Sequence, residues 1–425
     1  MNPQELLSRR QQLIHKLPLG SVTVLFSGIE QKSSADALYP FVVNKNFYYL
    51  TGIEQEHSAL ILVNSGLGVK TYLFVDEIDE TKTRWVGKKL DLETAKAISG
   101  IRDVLTYSMF SLRLNEILTQ REFYGDIHEL YLDLEKNLIM DQDLFTTQAF
   151  ATNLQAEYSS LVFNNIHPLI TQLRMVKSPA EVDAIRQAIK ATGYGLLHVR
   201  KQLKPELYEY QLEALFAYAL KEYGNLTTSF ETIIAAGKNA IVLHYPNPKD
   251  KIQDGVLVLC DLGARYKQYA GDITRTYPSS GIFNPLQRQV YEIVLQANEY
   301  IISLAKPGMK IIDLQKACLE FLAKACVKEG LIKKEEDIGS IYYHNVSHHL
   351  GLDTHDPMSR ELPLVPGCVI TVEPGLYIKE LGIGIRIEDD ILITEKGSEN
   401  LSIDIPKSIA DIEASLRLPG SKNPQ

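Results

Sequence analysis

Cysteine is scarce in this chain: Cys260, Cys318, Cys326 and Cys368 are the only four among 425 residues. They form no CxxC pair and no zinc spacing, which excludes a disulfide framework or a thiolate metal site. They are expected as buried, small apolar residues in a reducing compartment, and a cytoplasmic location follows as the default. No uninterrupted apolar run approaches the roughly 18 residues a membrane span needs. The opening MNPQELLSRRQQLIHKL has no continuous apolar h-region or small-residue cleavage site, so no signal peptide and no membrane are expected. Basic blocks are missing too, and the net charge of −9 argues against a nucleic-acid partner. Tryptophan occurs once, in TRWVGKK, where packing or an interface suits it better than catalysis.

What is present describes a globular protein, with 45% hydrophobic and 23% charged residues. A chain this long is expected to split into two domains. Up to about residue 165, the runs SVTVLFSG, FYYLTG, ALILV and KTYLFVD are β-branched or aromatic and bounded by Gly, Asn or Asp, so they read as strands. LDLETAKAISG carries helical periodicity and ends on a glycine stop. The expectation is a small α/β domain with a mixed sheet over 1–165 and a second domain over 170–410.

Ser178, Pro179 and Glu181 make a capping box that opens the second part, with helices expected over 179–202 and 206–222. Asn284, Pro285 and Gln287 repeat the device before helices to about 305 and over 311–329. The strand-rich stretches that follow each helix pair also correspond. HYPNPKDKIQDGVLVLCD and HDPMSRELPLVPGCVITVE both open on His-x-Pro, at His244 and His355. Each has a glycine, Gly255 or Gly367, six residues before an acid that ends an apolar strand, Asp261 or Glu373. The histidine-to-acid separations are 17 and 18 residues. A second acidic strand follows in each copy, GDITRTYP with Asp272 and IGIRIEDDILIT with Glu388. This ordered series predicts a duplicated half-domain whose pseudo-twofold axis gathers the four acids.

Four buried carboxylates at close range cannot all stay ionised without compensation. Two divalent cations would balance them, with a neutral imidazole completing an oxygen-rich site suited to Mn²⁺, Co²⁺ or Zn²⁺. Histidine is concentrated where such a site would need it. Of the ten in the chain, three fall in SHHLGLDTHD, Ser347–Asp356, with His344 just upstream. His344 and His348 have the spacing of a helical metal pair, but Asn345 stands where HExxH requires Glu, which excludes that motif. His349 is expected to face away from the site, because neighbours on an extended backbone point in opposite directions. His15, His57, His128, His167 and His198 belong to no constellation.

LHYPN, DLGARYKQYAGDITRTYP, HNVSHHLGLDTHD, TVEPGLYI and GIRIEDDILIT together resemble the pita-bread metallopeptidases, specifically the Xaa-Pro aminopeptidases and the related prolidases. YPFVVNKNFYYLTGI is similar to the N-terminal domain of that family. The resemblance implies an α/β protein in which a mixed-sheet domain precedes a pita-bread catalytic domain. It also implies two divalent ions, usually manganese, with Asp261 on one ion, His348 and Glu373 on the other, and Asp272 and Glu388 bridging. Glu373 would serve as general base. His244, His344 and His355 would contact substrate or the tetrahedral intermediate, and Arg386 would brace the carboxylates. Tyr377 is expected as a wall residue. The implied activity is release of the residue before proline from proline-containing peptides by a metal-activated hydroxide, in a homo-oligomer (dimer or tetramer). A dipeptide-only prolidase, a metal-free creatinase-like hydrolase and a non-catalytic pita-bread binding module are the rivals. The presence of all five ligand types argues against the last two.

Overall fold

The computed structural model describes residues 2–135, 147–359 and 361–416. The chain forms two compact units, Met1–Leu173 and Arg174–Gln425. Among the described residues no helix is long and apolar enough to cross a membrane.

The first unit is built on six strands: β1 (Ser21–Phe26), β2 (Ala59–Ser65), β3 (Gly68–Val75), β4 (Asp103–Thr106), β5 (Glu129–Leu132) and β6 (Val162–Asn165). Their order is β4-β3-β2-β1-β5-β6. The β1–β2 and β2–β3 pairs are antiparallel, and the β3–β4, β1–β5 and β5–β6 pairs are parallel, so the sheet is mixed. Every residue of β2 is buried, which is why ALILV reads as an unbroken apolar run. LDLETAKAISG forms the helix Leu92–Ser99, capped by Asp91 and stopped by Gly100 in the left-handed region.

FYYLTG corrects the strand expectation: it belongs to the helix Lys45–Thr51. Asn44 accepts from the Phe47 N–H at its start, and Gly52, at φ 68, donates to the Tyr48 carbonyl at its end. All seven residues are buried, so the helix shows no polar face and no 3.6-residue stripe. Its aromatic composition then imitates a strand, and only the cap and the stop betray it.

In the second unit the two capping boxes open the helices Pro179–Gln202 and Pro285–Leu304. Each is followed by a second helix, Glu209–Gly224 or Ile311–Lys328. The helix expected from 206 begins at Glu209 because the Glu206 and Glu209 amides donate to the Ile252 and Asp250 carbonyls, tying that stretch to a distant loop. The strands are β7 (Thr227–Thr228), β8 (Ile233–Ala236), β9 (Leu257–Leu262), β10 (Ala264–Tyr266), β11 (Tyr269–Ala270), β12 (Ile273–Pro278), β13 (Val369–Val372), β14 (Gly375–Ile378), β15 (Ile383–Arg386), β16 (Asp389–Thr394) and β17 (Gly397–Asn400).

Antiparallel pairing recurs in both copies, β9 with β12 and β13 with β16. Gly255 and Gly367 both turn the chain at positive φ, 73° and 95°, just before β9 and β13. A Cβ on Gly367 would also come within 2.9 Å of Val176. IGIRIEDDILIT is not one strand. Residues to Arg386 pair with β14, those from Asp389 pair with β13, and Glu388 sits where the chain changes partner. The two copies are joined by Glu388 N–H to Thr274 O (3.1 Å), Asp272 N–H to the Asp390 carboxylate (3.1 Å) and the Thr276 hydroxyl to Arg386 O (3.1 Å).

Candidate metal centre

The acids expected at the axis occupy strand ends. Asp261 lies on β9, Asp272 directly precedes β12, Glu373 directly follows β13 and Glu388 directly precedes β16. Asp261, Asp272 and Glu388 are 8%, 4% and 2% exposed, so none is an ordinary solvated strand-end carboxylate. His348 is held by its backbone, its N–H donating to the Thr371 hydroxyl (3.2 Å) and its carbonyl accepting from the Thr371 N–H (2.9 Å). Its Nδ1 lies 3.0 Å from the His349 carbonyl and donates to it, which turns the Nε2 lone pair toward the acid cluster, where a cation could take it. That Nε2 stands 3.5 Å from Glu373 Oε1 and 3.6 Å from Asp272 Oδ2. Asp272, His348 and Glu388 each offer one ligand atom, all within 4.8 Å of one another, and could hold a metal ion.

Electrostatics show what this arrangement needs. Burial, then the charge of Glu388, pushes the Asp272 carboxyl well above the usual range. Burial and Glu388 do the same to Glu373, and burial with Asp261 pushes Glu388 up to about 8. Burial draws His348 down to about 4 and His344 to about 3, so both imidazoles are neutral at pH 7. Crowded acids that resist ionisation beside a neutral imidazole match the donor set of a cation site. Among the described residues Asp261 Oδ1 is buried with no hydrogen-bond partner, an unsatisfied acceptor that suits a metal ligand.

Arg386 organises the rest. Its Nη2 donates to Asp261 Oδ2 (2.6 Å), its Nε to the Thr274 hydroxyl (3.2 Å) and its Nη1 to the Tyr377 hydroxyl (2.9 Å). Thr274 donates in turn to Glu388 Oε2 at 2.6 Å. Tyr377 lies 2.9 Å from His344 Nε2. His344 Nδ1 is 2.8 Å from the Asn345 carbonyl and donates there, so Nε2 accepts from the tyrosine. Tyr377, expected as wall, is therefore a link between Arg386 and His344. Thr274 was also not singled out from the sequence, although it shares a strand face with Asp272 two residues earlier.

The two His-x-Pro histidines meet, with the His244 and His355 rings 6.4 Å apart, and His355 packs edge-on against His348 at 4.4 Å. Both are exposed at the rim of the cluster. His349 is buried away from the acids, its backbone bridged to Asp356 and Ile370. His15 and His128 are exposed, while His57, His167 and His198 bond to Asp76, Asp133 and the Tyr194 carbonyl.

Buried acids gathered around one imidazole on a duplicated α/β framework define a metal-dependent hydrolase. Residues 183–395 match the family model of metallopeptidase family M24, and residues 7–124 match that of the aminopeptidase P N-terminal domain. The chain belongs to metallopeptidase family M24. It is 33% identical to the Xaa-Pro aminopeptidase of Escherichia coli over 97% of each chain. It is 30% identical to human Xaa-Pro aminopeptidase 3, over 92% of this chain and 80% of that one. The solved structure of E. coli aminopeptidase P with the inhibitor Pro-Leu superposes with a TM-score of 0.88, at 31% identity and 98% coverage of both chains. A Bacillus anthracis structure, provisionally named an aminopeptidase P, reaches a TM-score of 0.94 at 41% identity and 98% coverage of both. The architecture is that of these structures, an N-terminal domain followed by a pita-bread domain.

Proposed function

We propose that the protein is a metal-dependent Xaa-Pro aminopeptidase, releasing the N-terminal residue from peptides whose second residue is proline. The observation that carries the reading is the convergence of Asp272, Glu373 and Glu388 on His348, beside an Asp261 oxygen that no group among the described residues satisfies. Relatives that align over nearly the whole chain and are named Xaa-Pro aminopeptidases support it.

Two divalent ions fit the donor set, manganese foremost, with cobalt or zinc as alternatives; a zinc-substituted form of the E. coli relative has been solved with product. Asp261 would hold one ion, His348 and Glu373 the other, and Asp272 and Glu388 would bridge them. Bound there, the ions supply Lewis acidity, giving a water that ionises at neutral pH and a polarised carbonyl. Glu373 takes the water's proton and passes it to the departing proline nitrogen. His244 and His355, facing each other at the rim, donate to the developing oxyanion. Tyr377 fixes the ring of His344, which the family resemblance assigns to substrate contact, and Arg386 braces Asp261. A bond to proline is a tertiary amide without an N–H, so a peptidase that grips that N–H cannot use it.

The reading divides the chain into an N-terminal domain over 1–165 and a catalytic domain over 170–410, which the two compact units support. It places the protein in the cytoplasm, which four unpaired, buried cysteines suit. A homo-oligomer rests on the family resemblance alone. The test is to strip the protein with chelator, restore Mn²⁺ and compare Ala-Pro, Ala-Pro-Ala and Ala-Ala-Ala. Metal-dependent cleavage of both proline peptides is expected. Cleavage of Ala-Pro alone would make it a prolidase, and equal cleavage of Ala-Ala-Ala would remove proline from the assignment.

A further inference from the structure

Behind the acid cluster lies a second, largely buried polar assembly with no place in the chemistry above. Arg275, three residues after Asp272 on β12, is 0% exposed. Its Nε donates to Pro406 O (3.1 Å), its Nη1 to Thr274 O (3.0 Å) and Glu388 O (2.5 Å), and its Nη2 to Asp389 Oδ1 (2.7 Å) and Ile405 O (2.9 Å). All five guanidinium donors are therefore used. The Glu388 N–H donates to Thr274 O and its Oε2 accepts from the Thr274 hydroxyl. The amide, the carbonyl and one carboxylate oxygen of Glu388 are thus all held by two consecutive residues of β12, the strand that Asp272 directly precedes. From Asp389 the bonding continues to Lys407 Nζ (2.6 Å) and on to Asn298 (2.6 Å). Asn298 donates to Val372 O and Ile387 O, one residue before Glu373 and Glu388 respectively.

A buried Arg–Asp–Lys set is a poor way to stabilise a fold, because desolvation consumes most of the Coulomb gain and apolar replacements often do as well. What such a set supplies, and an apolar one cannot, is directional control of the main chain it bonds. We infer that Thr274 and Arg275 are positioning residues of the metal centre, a clamp that sets the separation of Asp272 and Glu388 between the two copies of the repeat. The inference rests on the reading of these two acids as bridging ligands and adds that their spacing is imposed from β12. Neither residue touches substrate.

The test loads metal-free wild type, Arg275→Lys, Thr274→Val, Thr274→Ser and Lys407→Met with Mn²⁺. It follows stoichiometry and affinity by calorimetry and the ion pair by electron paramagnetic resonance. Two ions sharing bridges about 3.5–4 Å apart give an exchange-coupled spectrum. Arg275→Lys keeps the charge but loses the fork, and should weaken the second ion by roughly 10–100-fold, the range for outer-shell partners of a metal site, and replace the coupled spectrum with that of isolated ions. Thr274→Val, a smaller change that tests the clamp even if the lysine variant does not fold, should do the same to a lesser degree, and Thr274→Ser should restore the coupling. Lys407→Met removes an ion from the same buried assembly without touching Glu388, so it should lower thermal stability yet keep the coupled pair. Wild-type affinity and coupling in both Arg275→Lys and Thr274→Val would overturn the clamp. So would an equal loss of coupling in Lys407→Met, which would reduce the effect to general destabilisation. Wild type that takes up no Mn²⁺ would overturn the metal reading itself, and the clamp with it.

Discussion

Replacing Asp356 by asparagine removes the anion that pins the histidine-rich loop to the start of the second unit. Asp356 is 4% exposed; its Oδ1 accepts from Arg174 Nη2 (2.6 Å) and the Asp353 N–H (3.2 Å), and its Oδ2 from Lys177 Nζ (3.1 Å). Gly351 packs so tightly against this carboxylate that a Cβ there would come within 2.7 Å of Oδ2. Burial alone would raise the carboxyl's pKa, but Arg174 and Lys177 outweigh it and hold it at about 2. Against an ordinary value of ~3.9, that depression corresponds to about 3 kcal/mol at neutral pH. The substitution removes the carboxylate that Lys177 and Arg174 share, while Arg174 keeps Asp353 Oδ2 at 2.6 Å. Breaking a buried pair by removing one partner costs about 3–5 kcal/mol in comparable sites, so the two routes agree. A loss of about 3 kcal/mol is a roughly 100-fold loss of protection where the loop opens locally. Hydrogen exchange of the 347–356 segment reads it directly. Fluorescence does not, since the single tryptophan, Trp85, lies in the other unit. The pH dependence has a definite sign: a depressed carboxylate contributes fully above ~3.9 and loses its contribution as pH falls through about 2. The urea midpoints of wild type and Asp356→Asn should therefore differ most near neutrality and converge between about pH 4 and pH 2. Unchanged exchange in 347–356, or a difference that persists undiminished into acid, would refute this account of the loop.

His355→Ala should keep its metal and lose roughly 10²–10³ in kcat, the cost of one oxyanion donor; elemental analysis showing lost metal would instead make His355 a ligand in place of His348. Tyr377→Phe leaves a buried Arg386 N–H and His344 Nε2 without their shared hydroxyl. It should lower stability by about 1–3 kcal/mol in urea titrations, and an unchanged midpoint would break the proposed chain from Arg386 to His344.

Much of the second unit was legible because its signals are local or repeated. Ser178 with Glu181 and Asn284 with Gln287 cap helices across three residues, and both boxes form as written. The His-x-Pro, glycine and acid series pointed to a duplicated framework, and the structure gathers Asp272, Glu373 and Glu388 around His348, with Asp261 tied in through Arg386. FYYLTG was misread because a fully buried helix has no polar face to reveal its period. The break in IGIRIEDDILIT was illegible for another reason: Glu388 sits where pairing passes from β14 to β13, and nothing local marks a change of partner.

Residue types, caps and the internal repeat were enough to single out a set of acids and histidines, since those features act within a few residues or recur in order. Which atoms they face was decided by contacts far apart in the chain. Arg386 reaches Asp261 across 125 residues and Arg275 reaches Glu388 across 113. Tyr377 acquires its role only because Arg386 and His344 lie on either side of its hydroxyl. A buried polar group must find a partner wherever packing supplies one, and packing is a property of the assembled unit rather than of any window of its sequence.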